Sequence, residues 1–255
     1  MKRIYKTLPP KIIIFSGAGL SAESGISTFR DTNGLWENRS IDEICNEATW
    51  KHNYVKVHSF YNQRRTQLAT VEPNEAHKTI KRLWDRFGDD LIILTQNVDD
   101  MLERTGIPSE SITHLHGELT VMHCTACGHK WEIGYNNFNT FSDRCPECDS
   151  KKGVKPFIVF FGGRAPKYMD LHNAMKHLYT NGSYLVVIGT QGGIVQIDEM
   201  TKYFDKSKKI LNNLESSEFI NEDNFSEVFL ESATTALPKI EEFLIKNFRN
   251  SGKFN

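Results

Sequence analysis

Four of the five cysteines stand in two pairs, Cys124-x-x-Cys127 and Cys145-x-x-Cys148, with seventeen residues between the pairs. That is the spacing of a zinc site. Four thiolates close a tetrahedral shell and leave no position for a substrate, so such a site supplies folding free energy and activates no water. Two redox-active dithiols, or unrelated free thiols, are the alternative for the same residues. His123 and His129 flank the first pair and could substitute as ligands, which two complete pairs make unnecessary. Cys45 stands alone and reads as a small buried hydrophobe.

A second cluster is Gly17-Ala18-Gly19-Leu20-Ser21-Ala22, placed directly after an apolar run and before a helical stretch. Glycines there let backbone approach a pyrophosphate, and the N–H groups of a helix start favour its charge. The same pattern also serves as a plain tight strand-to-helix turn. A dehydrogenase would continue to a second strand and place an acidic residue about 20 positions on. Here Ser24-Gly25-Ile26-Ser27-Thr28-Phe29-Arg30-Asp31 follows, and no convincing strand appears until Leu91. A dinucleotide could bind, but hydride transfer is not implied.

Thr95-Gln96-Asn97-Val98-Asp99-Asp100 lies at the carboxyl end of a strand, where open α/β sheets hold their ligands. Its amides and carboxylates could grip a carboxamide or a ribose; equally, Asn97 or Asp99 could cap a following helix. His114-Leu115-His116-Gly117 comes next, and either imidazole could act as a base near neutral pH or serve as a hydrogen-bonded structural residue. Tyr61 and Arg64, three apart, share one face if they lie on a helix. Taken alone, they read as a half-buried phenol beside a solvated guanidinium.

The elements that must position these groups follow from the apolar runs. Residues 11–17, 91–97, 157–162 and 184–190 are continuously apolar and rich in β-branched or aromatic side chains, as expected of strands buried on both faces of a parallel sheet. Residues 208–213 and 227–232 are weaker strand candidates. Asn74 to Phe87 carries helical spacing at Ala76, Ile80, Leu83, Trp84 and Phe87 and stops at Gly88. A last helix is expected to open at Pro238, with Ile240, Phe243, Leu244 and Phe248 on one stripe. Strands alternating with helices predict an α/β, doubly wound, Rossmann-like parallel sheet. Two segments break the rhythm: 35–70, a helical insertion, and 118–154, a cysteine-bearing module too poor in apolar residues to form a core unaided. The sheet domain then comprises 1–34, 71–117 and 155–255.

With 31 basic and 32 acidic residues in a chain of 255, the net charge of -1 argues against a protein held mainly by nucleic-acid phosphates or anionic lipid. The longest apolar runs have four or five residues, where a membrane span needs about 20. The opening MKRIYKTLPPK lacks the apolar stretch of a secretory signal, so a reducing cytoplasm is expected.

Taken together, GAGLSAESGISTFR (17–30), TQNVDD (95–100), HLHG (114–117), the two cysteine pairs, the stretch from Gly153 through Pro156 to Phe161-Gly162, Gly189-Thr190 and Asn213-Leu214-Glu215 resemble the sirtuins, NAD-dependent protein lysine deacylases. The resemblance spans nearly the whole chain. It implies a Rossmann-like large domain and a small domain of zinc module plus helical insertion, with NAD and an acyl-lysine protein or peptide meeting between them. Gly17, Ala18, Gly19 and Ser21 would hold the pyrophosphate region, with Phe29 and Arg30 on a loop covering the cofactor. Gln96, Asn97 and Asp99 would line the nicotinamide and ribose pocket. Gly189, Thr190, Gln191, Asn213 and Ala233 would lie toward the adenosine. In the family's chemistry the acyl oxygen attacks the ribose carbon that bears nicotinamide, and His116 acts as general base on a ribose hydroxyl; NAD is consumed and O-acyl-ADP-ribose released. The structural zinc would sit on Cys124, Cys127, Cys145 and Cys148.

Tyr61-x-x-Arg64 resembles the signature of sirtuins that accept succinyl- and malonyl-lysine, where a guanidinium and a phenol meet the distal carboxylate. Acetyl-lysine is expected as a further substrate, and the protein is expected to be a monomer. Five positions depart from the family pattern: Gly163 replaces a usual Glu, Gln191 a usual Ser, Asp100 a common Gly, and Gln196-Ile197 a frequent Pro-Ala. An ADP-ribosyl transferase or NAD-cleaving hydrolase on the same scaffold, and a noncatalytic binding module, are the other functions the residues allow.

Overall fold

The computed structural model describes residues 8–27, 35–36 and 39–248. Along the chain, β1 (Ile12–Ser16) turns through Gly17 and Ala18 into a single helical turn, α1 (Gly19–Ala22). A two-rung hairpin of β2 (Leu35–Trp36) and β3 (Arg39–Ser40) leads into α2 (Ile41–Ile44) and α3 (Tyr54–Leu68). Next come α4 (Glu75–Phe87), β4 (Leu91–Thr95) and β5 (Ile112–His114), then β6 (Gly117–Cys124), β7 (Lys130–Glu132) and β8 (Val154–Ile158). The chain ends through α5 (Tyr168–Met175), β9 (Tyr184–Ile188), α6 (Ile197–Thr201), β10 (Lys208–Asn213), β11 (Glu227–Leu230) and α7 (Ala233–Asn247).

Six strands form one parallel sheet in the order β11-β10-β9-β1-β4-β5. Its doubly wound character follows from the two-residue period of a strand. Ile12 and Ile14 of β1 face a core with Ile80 and Leu83 of α4 and Leu237, Ile240 and Leu244 of α7; Ile13 and Phe15 face another with Leu171 and Met175 of α5. From β1 the chain runs outward to β4 and β5, then returns to place β9 on the other side of β1. The order therefore reverses between β1 and β9, and open sheets bind ligands at such a switch point.

A three-stranded antiparallel sheet, β7-β6-β8, lies apart from the parallel one. The sheet residues Leu119, Met122 and Val154 share one core with Val57, Phe60 and Tyr61 of α3 and with Cys124 and Cys145. The cysteine-bearing segment thus packs on the apolar face of α3. Arg65 fastens the two together: fully buried, it donates Nε–H to the Asn136 carbonyl at 2.9 Å and reaches the Leu119 carbonyl at 3.4 Å.

Two expectations are corrected here. The apolar run 157–162 is not a strand of the parallel sheet: residues 154–158 form β8 beside β6, and Phe160 is buried in the core that β6 shares with α3. Continuous apolarity reports burial, not the sheet that supplies it. The last helix begins at Ala233, not Pro238, with Pro238 as its sixth residue. Past the first turn, proline has no N–H to give the carbonyl four residues back, that of Thr234, and α7 nevertheless runs through it to Asn247.

Candidate functional site

The turns after β1 and β9 interlock at the switch point. Gly17 N–H donates to the Ile188 carbonyl and Gly19 N–H to the Gly189 carbonyl, both at 2.8 Å. A Cβ on Gly19 would stand 2.6 Å from Gly189 Cα, and one on Gly189, where φ is +59°, would stand 2.6 Å from Gly19 Cα. The glycines are required by backbone meeting backbone. Thr190 and Asn213 continue the seam: Thr190 N–H donates to Asn213 Oδ1 (3.0 Å), Asn213 Nδ2 donates to the Thr190 carbonyl (2.9 Å), and Gln96 Nε2 donates to Thr190 Oγ1 (3.0 Å). The Gln191 side chain is exposed and its carbonyl accepts from Ser217. Ala233 is buried at the start of α7.

Ser21 is the hub of a buried network. Its hydroxyl donates to Asp99 Oδ2 (2.9 Å) and accepts from Asn97 Nδ2 (3.1 Å). Its third partner is His77 Nε2 at 3.3 Å. The backbone N–H of Asn74 donates to His77 Nδ1, so Nε2 carries the ring proton and donates to Ser21. Burial pulls His77 down to about 4 and keeps it neutral. Burial likewise lifts Asp99, to about 6, against the Ser21 hydroxyl and the Met101 N–H, which favour its charged form. His77 was not singled out in the sequence, although a histidine at the third position of α4, where Glu or Gln usually completes a capping box, is an available signal.

The two histidines of HLHG separate by their partners. His114 donates from Nδ1 to the Asn97 carbonyl (2.8 Å) and from Nε2 to Glu103 Oε1 (2.7 Å). Burial opposes its charge, but the Glu103 carboxylate and the Asn97 carbonyl outweigh burial and raise it to about 9. It is an imidazolium with both nitrogens committed. His116 has Nδ1 on the Gln96 carbonyl at 3.1 Å and Nε2 within 2.9 Å of the Tyr168 hydroxyl. Burial lowers its pKa, partly offset by the Gln96 carbonyl, so the ring is neutral and Nε2 is an acceptor. Tyr168, fifty-two residues away, gave no signal in the sequence. A cavity of about 770 Å³ is lined by His114, Leu115 and Gly117, and by Pro166 and Lys167 before Tyr168, but not by His116 itself.

The His114–Glu103 pair carries a pH dependence of stability. A histidine raised on folding from about 6.5 to about 9 contributes fully below pH 6.5 and loses its contribution as pH rises through 9. The shift corresponds to on the order of 3 kcal/mol. Urea unfolding from pH 6 to 10 is expected to show this decline, and Glu103→Gln to flatten it; equal slopes would refute the assignment.

Phe29 and Arg30 lie outside the described residues. Tyr61 is fully buried on α3, stacked on Phe160 with centroids 5.9 Å apart, and burial, followed by the nearby Cys45 thiol, pushes its phenol well above 10. Arg64 is half-buried with its guanidinium 5.4 Å from the Phe60 ring centroid. The four Sγ atoms of Cys124, Cys127, Cys145 and Cys148 lie within 4.8 Å of one another, with Cys124–Cys148 and Cys127–Cys145 at 3.6 Å. A tetrahedral zinc with bonds of about 2.3 Å separates its sulfurs by about 3.8 Å, so the set fits. His123 and His129 turn instead to Phe157 and Trp131.

The Sir2 family pattern matches residues 17–196. The chain belongs to the Sir2 family. An NAD-dependent protein deacylase of Helicobacter hepaticus is 42% identical over 258 residues, spanning 94% of this chain and 99% of that protein. One from Campylobacter jejuni is 39% identical over 241 residues, spanning 94% and 98%. Among solved structures, a Sir2 homolog–NAD complex superposes with a TM-score of 0.78 at 27% identity, covering 95% of this chain and 92% of that one. In this Sir2 chain Gly163 has a local cause: a Cβ there would sit 2.8 Å from the Phe160 carbonyl oxygen, which already accepts the Gly163 N–H. A glutamate would have to move that turn.

Proposed function

We propose that the chain is an NAD-dependent protein-lysine deacylase with His116 as its general base, acting on acetyl-lysine and, through Tyr61 and Arg64, on succinyl- and malonyl-lysine. The carrying observation is a neutral imidazole whose Nδ1–H is fixed by the Gln96 carbonyl, leaving Nε2 as acceptor at the carboxyl end of the strands beside β4. Gly17, Ala18, Gly19 and Ser21 form the dinucleotide side of the site. Gln96, Asn97 and Asp99 orient the nicotinamide and ribose; Gly189, Thr190, Gln191, Asn213 and Ala233 lie toward the adenosine, and Phe29 and Arg30 complete the cofactor loop. When bound, NAD supplies the ribose carbon that the acyl oxygen attacks and the hydroxyl that His116 deprotonates. Zinc on the four cysteines holds the small domain and takes no part in the chemistry.

No helix among the described residues is long and apolar enough to cross a membrane. The proposed setting is a cytoplasmic monomer acting on acyl-lysine proteins, without nucleic acid or membrane. Mass spectrometry of succinyl- and acetyl-peptides with NAD tests the reaction: O-acyl-ADP-ribose supports it, whereas ADP-ribosylated protein or no turnover overturns it. The acyl preference has its own test. Charge-assisted hydrogen bonds are worth about 1.5–3 kcal/mol, so Arg64→Met with Tyr61→Phe is expected to cut desuccinylation by about 10- to 100-fold and deacetylation far less. Equal loss on both peptides would exclude the pair as the selector.

A further inference from the structure

His116 is held at both ring nitrogens. The Gln96 carbonyl takes Nδ1–H at 3.1 Å, and the lone pair this leaves on Nε2 accepts the Tyr168 hydroxyl at 2.9 Å. Their ring centroids lie 6.0 Å apart and the planes are tilted by 41°, so the contact runs through the hydroxyl and not through stacking. Tyr168 opens α5, which is anchored behind it by the buried Leu171, Ala174 and Met175. In front of it the chain reverses through Gly162, with φ of +79°, and Gly163, and Tyr168 N–H closes on the Ala165 carbonyl at 3.1 Å. The phenol is thereby presented to the base from an anchored helix end, next to an exposed segment, Arg164 to Lys167.

A donor on Nε2 occupies the place that a substrate hydroxyl must take. We propose, resting on the deacylase reading above, that Tyr168 is a positioning residue for the base: its hydroxyl holds Nε2 of His116 as an acceptor in the free protein and yields that acceptor to a ribose hydroxyl of bound NAD. One O–H donor replaces another. The ribose proton passes to Nε2, and the phenol keeps its own. Burial pushes the Tyr168 phenol up, which suits a group that donates a hydrogen bond without ionising. The nearby titratable side chains are committed elsewhere, Asp99 to Ser21 and His114 to Glu103.

The test uses full-length protein labelled with ¹⁵N-histidine. In the wild type, His116 is expected as one tautomer, protonated at Nδ1, with Nε2 showing the shift of a hydrogen-bonded acceptor. Tyr168→Phe, which keeps the ring, should move the Nε2 resonance toward that of a free acceptor, and, because the lost bond is one the free protein must give up to the ribose hydroxyl, it should raise kcat/KM for deacylation about fivefold, the effect of one neutral hydrogen bond. Tyr168→Leu, which also removes the ring, should give the same Nε2 shift. An unmoved Nε2 resonance in both variants, or a moved resonance with kcat/KM for deacylation by Tyr168→Phe unchanged or lowered, would overturn the proposal. A wild type that shows the Nε2 signal of a bonded acceptor but no turnover would count against the deacylase reading, and so against Tyr168's role in it, while leaving the contact itself established.

Discussion

With His116 replaced by Tyr, the protein is expected to keep its fold and lose deacylation by about 10²- to 10⁴-fold, the contribution of a positioned general base. The choice between the two histidines of HLHG rests on what holds them. Consecutive carbonyls at the end of β4, those of Gln96 and Asn97, each take one Nδ1–H. The rings then diverge. Glu103 meets His114 Nε2 and fixes a positive charge, leaving no lone pair to accept a proton. Among the described residues His116 Nε2 meets only a phenol, and its lowered pKa keeps the lone pair available. His114→Gln is therefore expected to cost stability in the pH range below 9 and to spare the base, whereas His116→Tyr spares stability and removes the base. Urea denaturation and the peptide assay, run on both variants, separate the two effects. Undiminished desuccinylation by His116→Tyr would remove the assigned base altogether.

The sequence made legible whatever depends on residue type and short spacing. β1, β4 and β9 are visible because burial on both faces leaves no polar position, and the four cysteines because metal geometry fixes their intervals. What it hid depends on long-range packing. The run 157–162 looks like the other strands since burial under α3 demands the same apolar residues as burial in a parallel sheet. Pro238 looks like a helix start because proline is favoured in a first helical turn, and it outweighed the weaker local sign of Ser232, the N-cap before Ala233. Within the site, Ser21 and Asp99 are 78 residues apart and His116 and Tyr168 are 52 apart, so no local pattern could join them. The glycines were legible as glycines, yet their main constraint is the close approach of Gly19 and Gly189, which appears only when the β1 and β9 turns are side by side.

Removing the metal should uncouple the two halves of the molecule. Atomic absorption is expected to find one zinc per chain, and stripping it with a chelator, or substituting Cys145→Ser, should unfold the cysteine module while the parallel sheet stays cooperative. The reason is the thinness of that module. Between Cys124 and Val154 the only strand is β7, three residues long, and its burial pattern is largely exposed. Phe138 is the one bulky apolar side chain of 125–153 that is fully inside the shared core. Burying it contributes about 3 kcal/mol, far below the roughly 1–2 kcal/mol per residue that ordering this backbone costs, so another source of free energy is required. A structural zinc supplies about 10–16 kcal/mol in small domains. Its loss would leave Cys124 and Cys145 as buried thiols without their ligand and would free Asn136, whose carbonyl anchors the buried Arg65. Limited proteolysis should then cut within 125–153 before any other described segment, and deacylation should fall with the cut because β6 leads directly out of His116. If the chelated protein instead resists proteolysis as the native one does, the four sulfurs are not a folding site, and the module must be held by α3 alone.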